Sequence, residues 1–140
     1  MAISPAEAIC QFVPPFMRFL RDGLAELNMT PARFQILQAL NQGNGISMNE
    51  LADRLSVTKR NVTTLVDGLE KEGLAIRKPH PTDRRSTLVS STPDGKALFQ
   101  KAADIQQQHL RGLMETLDET QQVEMTKALI TLTAVLSTKG

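Results

Sequence analysis

Apolar residues along most of the chain recur at intervals of three and four, the spacing of one helix face, and give way to short β-branched stretches only between Leu74 and Ser91. Thr30-Pro31 joins an N-cap residue to a proline at the first helical position, and predicts a helix with Phe34, Leu37 and Leu40 inward until Gly43, Met29 stapling onto Phe34. Ser47 and Glu50 form an S-x-x-E capping box between Ile46 and Leu51, opening a short helix to about Arg54. After Ser56 and Val57 a third helix is expected from Thr58. Val62, Leu65, Val66 and Leu69 form its buried stripe, and Gly73 is placed as the glycine that ends it. A short helix, a brief turn and an amphipathic helix make a helix-turn-helix.

The next segment reads as a β-hairpin. Leu74 to Lys78 and Arg84 to Ser91 flank Pro79-His80-Pro81-Thr82-Asp83, whose prolines exclude helix and favour a stiff exposed turn. Arg77, Lys78, Arg84 and Arg85 are expected to crowd the hairpin tip, where their mutual repulsion calls for an anion. Beside the third helix, such a hairpin is a wing able to straddle phosphates or enter a narrow minor groove. Asp83 has two readings: a brace that pairs with Arg84 or Arg85, or a turn residue bonding its own backbone.

Both ends of the chain read as helices. Ile9, Phe12, Val13, Phe16, Phe19 and Leu20 make one stripe, with a bend expected at Pro14-Pro15. Thr92-Pro93 opens another helix, striped by Leu98, Ala102, Ile105, His109 and Leu113. Asp118 with Gln121 caps a last one, striped by Met125, Ala128, Leu129, Leu132 and Leu136. Neither of the last two packs obviously onto the basic middle of the chain, residues 54–85. Apolar helices at both ends of so short a chain therefore predict a homodimer.

Charge sharpens this picture through its distribution. The net charge is +1, yet residues 54–85 hold eight basic side chains against four acidic ones, a surplus of four. The rest carries a deficit of three, so a polyanion should prefer the middle. On the third helix Lys59, Arg60, Asn61, Thr63, Thr64 and Asp67 lie off the apolar stripe. Arginine and lysine suit guanine edges and asparagine suits adenine, while threonine suits phosphate or a thymine methyl. The candidate DNA-binding residues are thus Thr58, Lys59, Arg60, Asn61, Thr63, Thr64, Arg77, Arg84 and Arg85. The bland alternative is a solvated helix face with two routine cations.

The stretches LNMTPARFQILQAL and MNELADRLSVTKRNVTTLVDGLEKEGLAIRKPHPTDRRSTLVSSTPDGKAL resemble the multiple antibiotic resistance regulator (MarR) type of bacterial transcription factors, over roughly residues 27 to 98. Asp83-Arg84-Arg85, Leu88 and the Thr92-Pro93-Asp94-Gly95 turn carry most of the likeness. It implies a dimeric repressor or activator whose recognition helix enters the major groove and whose wing meets the minor groove. It further implies that Asp83 braces Arg85, with Arg84 or Arg85 in the minor groove. Members often bind small aromatic acids between the dimer helices and the winged domain. Here Phe12, Phe16, Met17, Arg18 and Phe34 are candidates to line a cleft for a small aromatic or lipophilic ligand, with plain core packing as the alternative. Cys10 invites comparison with one-cysteine peroxide sensors, but the chain has no tyrosine to hold a reactive sulfur, which favours an inert thiol.

The expected fold is mainly α with a small β-hairpin wing, in a single domain. Residues 30–92 form the winged helix-turn-helix, and 1–28 with 93–140 a helical dimerisation region. No enzyme signature is present: there is no phosphate loop, nucleophile elbow or serine, histidine and acid grouping. His80 and His109 lack metal spacing, so neither cofactor nor metal is expected. One cysteine, no apolar run long enough to span a bilayer and no leader point to the cytoplasm. The rival reading is a winged helix used as a protein-interaction module without a DNA target.

Overall fold

The computed structural model describes residues 2–55 and 57–138. Ser56, expected in the turn, and positions 1, 139 and 140, expected in the helical ends, lie outside the described residues. The chain divides into two units, residues 1–106 and 107–140.

In the first unit, α1 (Pro5–Leu24) opens on Ser4, whose hydroxyl accepts from the Glu7 N–H, and stays helical across Pro14-Pro15. A 3-10 turn follows, and α2 (Pro31–Leu40) starts at the expected Thr30 cap, where Oγ1 accepts from the Arg33 N–H at 3.2 Å. It stops at Leu40, short of Gly43. Strand β1 (Ile46–Ser47) leads into α3 (Met48–Leu55), then α4 (Lys59–Lys71), β2 (Ala75–Pro79), β3 (Thr87–Ser91) and α5 (Pro93–Met114).

The helix-turn-helix arises where the spacing placed it. Val62, Val66 and Leu69 of α4 are fully buried with Leu51 of α3 and Leu37 of α2, and Leu65 packs on them from the edge. The turn out of α4 is set by one backbone requirement. Gly73 sits at φ +75°, which lets its N–H donate to Glu70 and the Leu74 N–H reach back to Leu69, and Leu74 drops into the core beside Leu69.

The sheet holds three strands in the order β1-β3-β2, all antiparallel, where the pattern gave only a hairpin. Ile46 pairs with Val89, and both are buried. A strand of two residues has no alternation to read, and the staple signal at Ile46 pointed to the same burial by another route.

Helix α5 corrects one expectation. Its first half does have a seat on the middle of the chain: Ala102 is fully buried, Leu98, Phe99 and Ala103 pack against the core, and the Phe99 ring lies 5.3 Å from that of Phe34. Two small residues let the helix come close, and Gly95 brings its start closer still. A Cβ at Gly95 would stand 2.0 Å from the Leu74 carbonyl oxygen.

The second unit contains the end of α5 and α6 (Glu119–Thr138). The predicted capping box forms in both directions: Asp118 Oδ1 accepts from the Gln121 N–H at 2.8 Å, and Gln121 Oε1 from the Asp118 N–H at 3.1 Å. No described residue of α6 is buried, and Val123, Leu129, Ile130, Leu132, Val135 and Leu136 are exposed. Among the described residues no helix is long and apolar enough to cross a membrane.

Candidate nucleic-acid interface

Helix α4 begins with Thr58, whose Oγ1 accepts from the Asn61 N–H at 3.2 Å, so the Lys59, Arg60 and Asn61 side chains emerge from the first turn. All are exposed, as are Thr63 and Thr64. The hydroxyls of Thr63 and Thr64 donate to the carbonyls of Lys59 and Arg60, at 2.8 and 3.1 Å. Their protons are therefore engaged within the helix, and what they offer outward is lone pairs and methyl groups.

The wing loop runs from His80 to Ser86 and is organised by two side chains. His80 Nδ1 accepts from the N–H groups of Thr82 and Asp83, at 3.2 and 3.0 Å. Asp83 Oδ1 accepts from the Arg85 N–H at 3.0 Å, and the Ser86 N–H donates to the Asp83 carbonyl. The acid thus holds the loop through the backbone of Arg85, the turn-residue reading, and among the described residues no ion pair joins it to either arginine. Arg84 and Arg85 project from this loop into solvent, with Lys78 exposed on the strand below.

Arg77 lies elsewhere than expected. The register pairs it with Val89, two residues back from the Pro79–Thr87 end of the ladder, so it is not at the tip. Its guanidinium is held by Asp67 at 2.7 Å and Glu70 at 2.6 Å, two acids one turn apart on α4. Burial alone would lower its pKa, but the hydrogen bonds it donates to both carboxylates, with their negative charge, outweigh that and raise it above the ordinary arginine value. Sequence reading counted Arg77 as one more cation because the strand register, which decides which way it faces, is not written in a five-residue stretch.

The eight basic residues of the middle thus sort into two groups. Arg54 pairs with Glu50 at 3.1 Å and Arg77 with its two acids, whereas Lys59, Arg60, Lys71, Lys78, Arg84 and Arg85 have no carboxylate partner among the described residues. Arg33, outside that window, takes up Glu72 and also donates to the Asn28 carbonyl. The acids at the far end of α4 are thereby neutralised and the cations at its start and on the wing left free.

A family model described as MarR family matches residues 27–86. The multiple antibiotic resistance protein MarR of Salmonella typhimurium is 32% identical over 112 residues, covering 76% of this chain and 76% of that protein. The chain belongs to the MarR family. Among solved structures, apo MarR of E. coli matches with a TM-score of 0.85 at 26% identity, over 94% of this chain and 98% of that one. The transcriptional repressor CouR, bound to a 23-mer DNA duplex, matches with a TM-score of 0.82 at 26% identity, over 93% and 92%. The chain spans 58% of a further relative, the putative transcriptional regulatory protein for the hcr operon of Thauera aromatica, 31% identical over 99 residues and 71% of this chain.

The five candidates for a MarR-family ligand cleft separate. Met17 and Phe34 line a cavity of about 150 Å3 with Leu20, Leu24, Pro31 and the glutamines 35, 38 and 106. Phe12 and Phe16 stack on one another with centroids 4.7 Å apart on α1, and neither they nor Arg18 line that cavity. Cys10 is an exposed free thiol. Among the described residues no group of acids, histidines and cysteine is placed to hold a metal ion.

Proposed function

We propose that this MarR-family chain is a DNA-binding transcriptional regulator that acts as a homodimer, represses from a palindromic operator and works in the cytoplasm, where that DNA lies. The observation that carries the reading is the sorting of charge: among the described residues six cations on the first turn of α4, its last turn and the wing have no carboxylate partner, while the acids Asp67, Glu70 and Glu72 at the far end of α4 are each taken up by an arginine. An interaction module has no need of that separation, whereas a surface facing phosphates does. CouR, of like fold, is a repressor seen on a duplex.

In this reading Arg60 and Asn61 read base edges, Thr58 and Lys59 contact backbone or bases beside them, Thr63 and Thr64 meet bases through their methyls and lone pairs, and Arg84 and Arg85 reach the minor groove. The exposed apolar residues of α1 (Ile9, Phe12, Val13, Met17) and of α6 are covered by a second copy, and the two-fold axis that results spaces the half-sites one helical turn apart. An effector seated beside Met17 and Phe34 would meet an apolar wall of Met17, Leu20, Leu24 and Phe34 and the amides of Gln35, Gln38 and Gln106, a lining suited to a small aromatic or lipophilic molecule. The deciding experiment is selection of bound duplexes from a random pool at near-physiological salt. An inverted repeat supports a dimer that reads sequence. No enrichment over background would overturn that reading in favour of an interaction module.

A further inference from the structure

Strand β2 is the outer strand of the sheet, so alternate N–H groups along it face away from β3. At Arg77 that N–H donates to Glu70 Oε2 at 3.3 Å, while the guanidinium of the same residue donates to Glu70 Oε1 and lies against Asp67. One glutamate thus holds both the main chain and the side chain of Arg77, and a planar fork with several donors spans two carboxylates. The Arg77 side chain is 25% exposed, well below the exposure of either acid.

We infer that Arg77 is a positioning residue: it clamps the outer strand of the wing onto the recognition helix through Asp67 and Glu70, fixes where Arg84 and Arg85 lie relative to Lys59 and Arg60, and keeps two carboxylates from repelling the duplex. Without it, Asp67 and Glu70 would face solvent unpaired on the helix that enters the groove. The second half of this inference rests on the DNA-binding reading above.

Ordinary electrostatics and the clamp make opposite predictions for the acids. Removing a negative charge near DNA should tighten binding. If Glu70 holds the wing in place, Glu70→Gln should instead weaken binding of the full chain to a mixed-sequence duplex by about fivefold. Arg77→Lys keeps the charge but cannot fork across two carboxylates, and should lose about tenfold. Tighter binding by Glu70→Gln, or binding by Arg77→Lys within about twofold of wild type, would overturn the clamp in favour of a plain phosphate contact. A DNA-free measurement separates the two failures. In urea unfolding, Arg77→Lys and Glu70→Gln should be coupled by about threefold in the unfolding constant, and strict additivity would overturn the clamp whatever the duplex does. A wild-type chain that binds no duplex would sink the DNA reading, and with it the effect on binding, while the unfolding cycle still decides the contact.

Discussion

Lys59, Arg60, Arg84 and Arg85 are exposed and have no carboxylate partner among the described residues, yet they sit on supports of different stiffness, and this divides their expected roles. Arg60 rises from the first turn of a capped helix buried along its opposite side, a mount stiff enough to hold a side chain against one base edge. Arg60→Ala should cost about 1 to 3 kcal/mol on the selected operator and little on random duplex, measured by titration of both; equal losses would reduce it to a phosphate contact. Arg85 stands on a loop, where charge counts for more than aim. Arg85→Ala should weaken all sequences and lower the slope of log K against log salt by about 0.9, and an unchanged slope would remove it from the phosphate contacts. Arg77 shows the limit of reading residues by type. Its charge was legible, but whether it faces a phosphate or a pair of acids follows from the register of β2 against β3 and from the rotation of α4, which bring together positions seven and ten apart in the chain.

At the scale of elements, the boundaries that carry side-chain chemistry were written locally: the Thr30, Thr58 and Asp118 caps and Gly73 each act on neighbours within five residues. The parts that escaped depend on distant partners. Strand β1 exists only because Val89 lies opposite Ile46, and the seat of α5 exists only because Phe34 and Leu74 lie beneath it. The wing loop belongs to the first kind, held by His80 and Asp83 over spans of two and three residues. His80→Ala should therefore speed hydrogen exchange at the Thr82 and Asp83 amides while leaving global stability within about 0.5 kcal/mol; a large drop in stability would mean that the ring supports more than its own turn. Gly95→Ala belongs to the second kind. Its methyl would collide with backbone rather than with a yielding side chain, so a loss of about 1 to 3 kcal/mol in urea unfolding is expected.

For the whole molecule the charge pattern and the apolar pattern answer separate questions. Among the described residues six cations of α4 and the wing have no carboxylate partner, while α6 buries none of its described residues and exposes six large apolar ones. A face of that kind is costly in water at about 25 cal/mol per Å2, and a second copy is the partner that a chain of this family has at hand. Deleting residues 119–140 should leave a monomer or an aggregate by light scattering. A well-behaved dimer after that truncation would move the interface to α1 alone.

The wing leaves the fold and returns to it at a single point. The Thr92 N–H donates to the Leu74 carbonyl, the Thr92 hydroxyl donates to the Gly73 carbonyl and accepts from the Gly95 N–H, and Gly95 leaves no room between them. The two strands of the wing thus share one knot at their feet, and are tied to the fold again where Val89 faces Ile46 and where Arg77 meets α4, which leaves only the loop from His80 to Ser86 without a hold on the core. The part open to exchange is therefore the loop alone: a donor loop of another length or charge, spliced between Pro79 and Thr87, inherits its anchorage from strands that the host already holds.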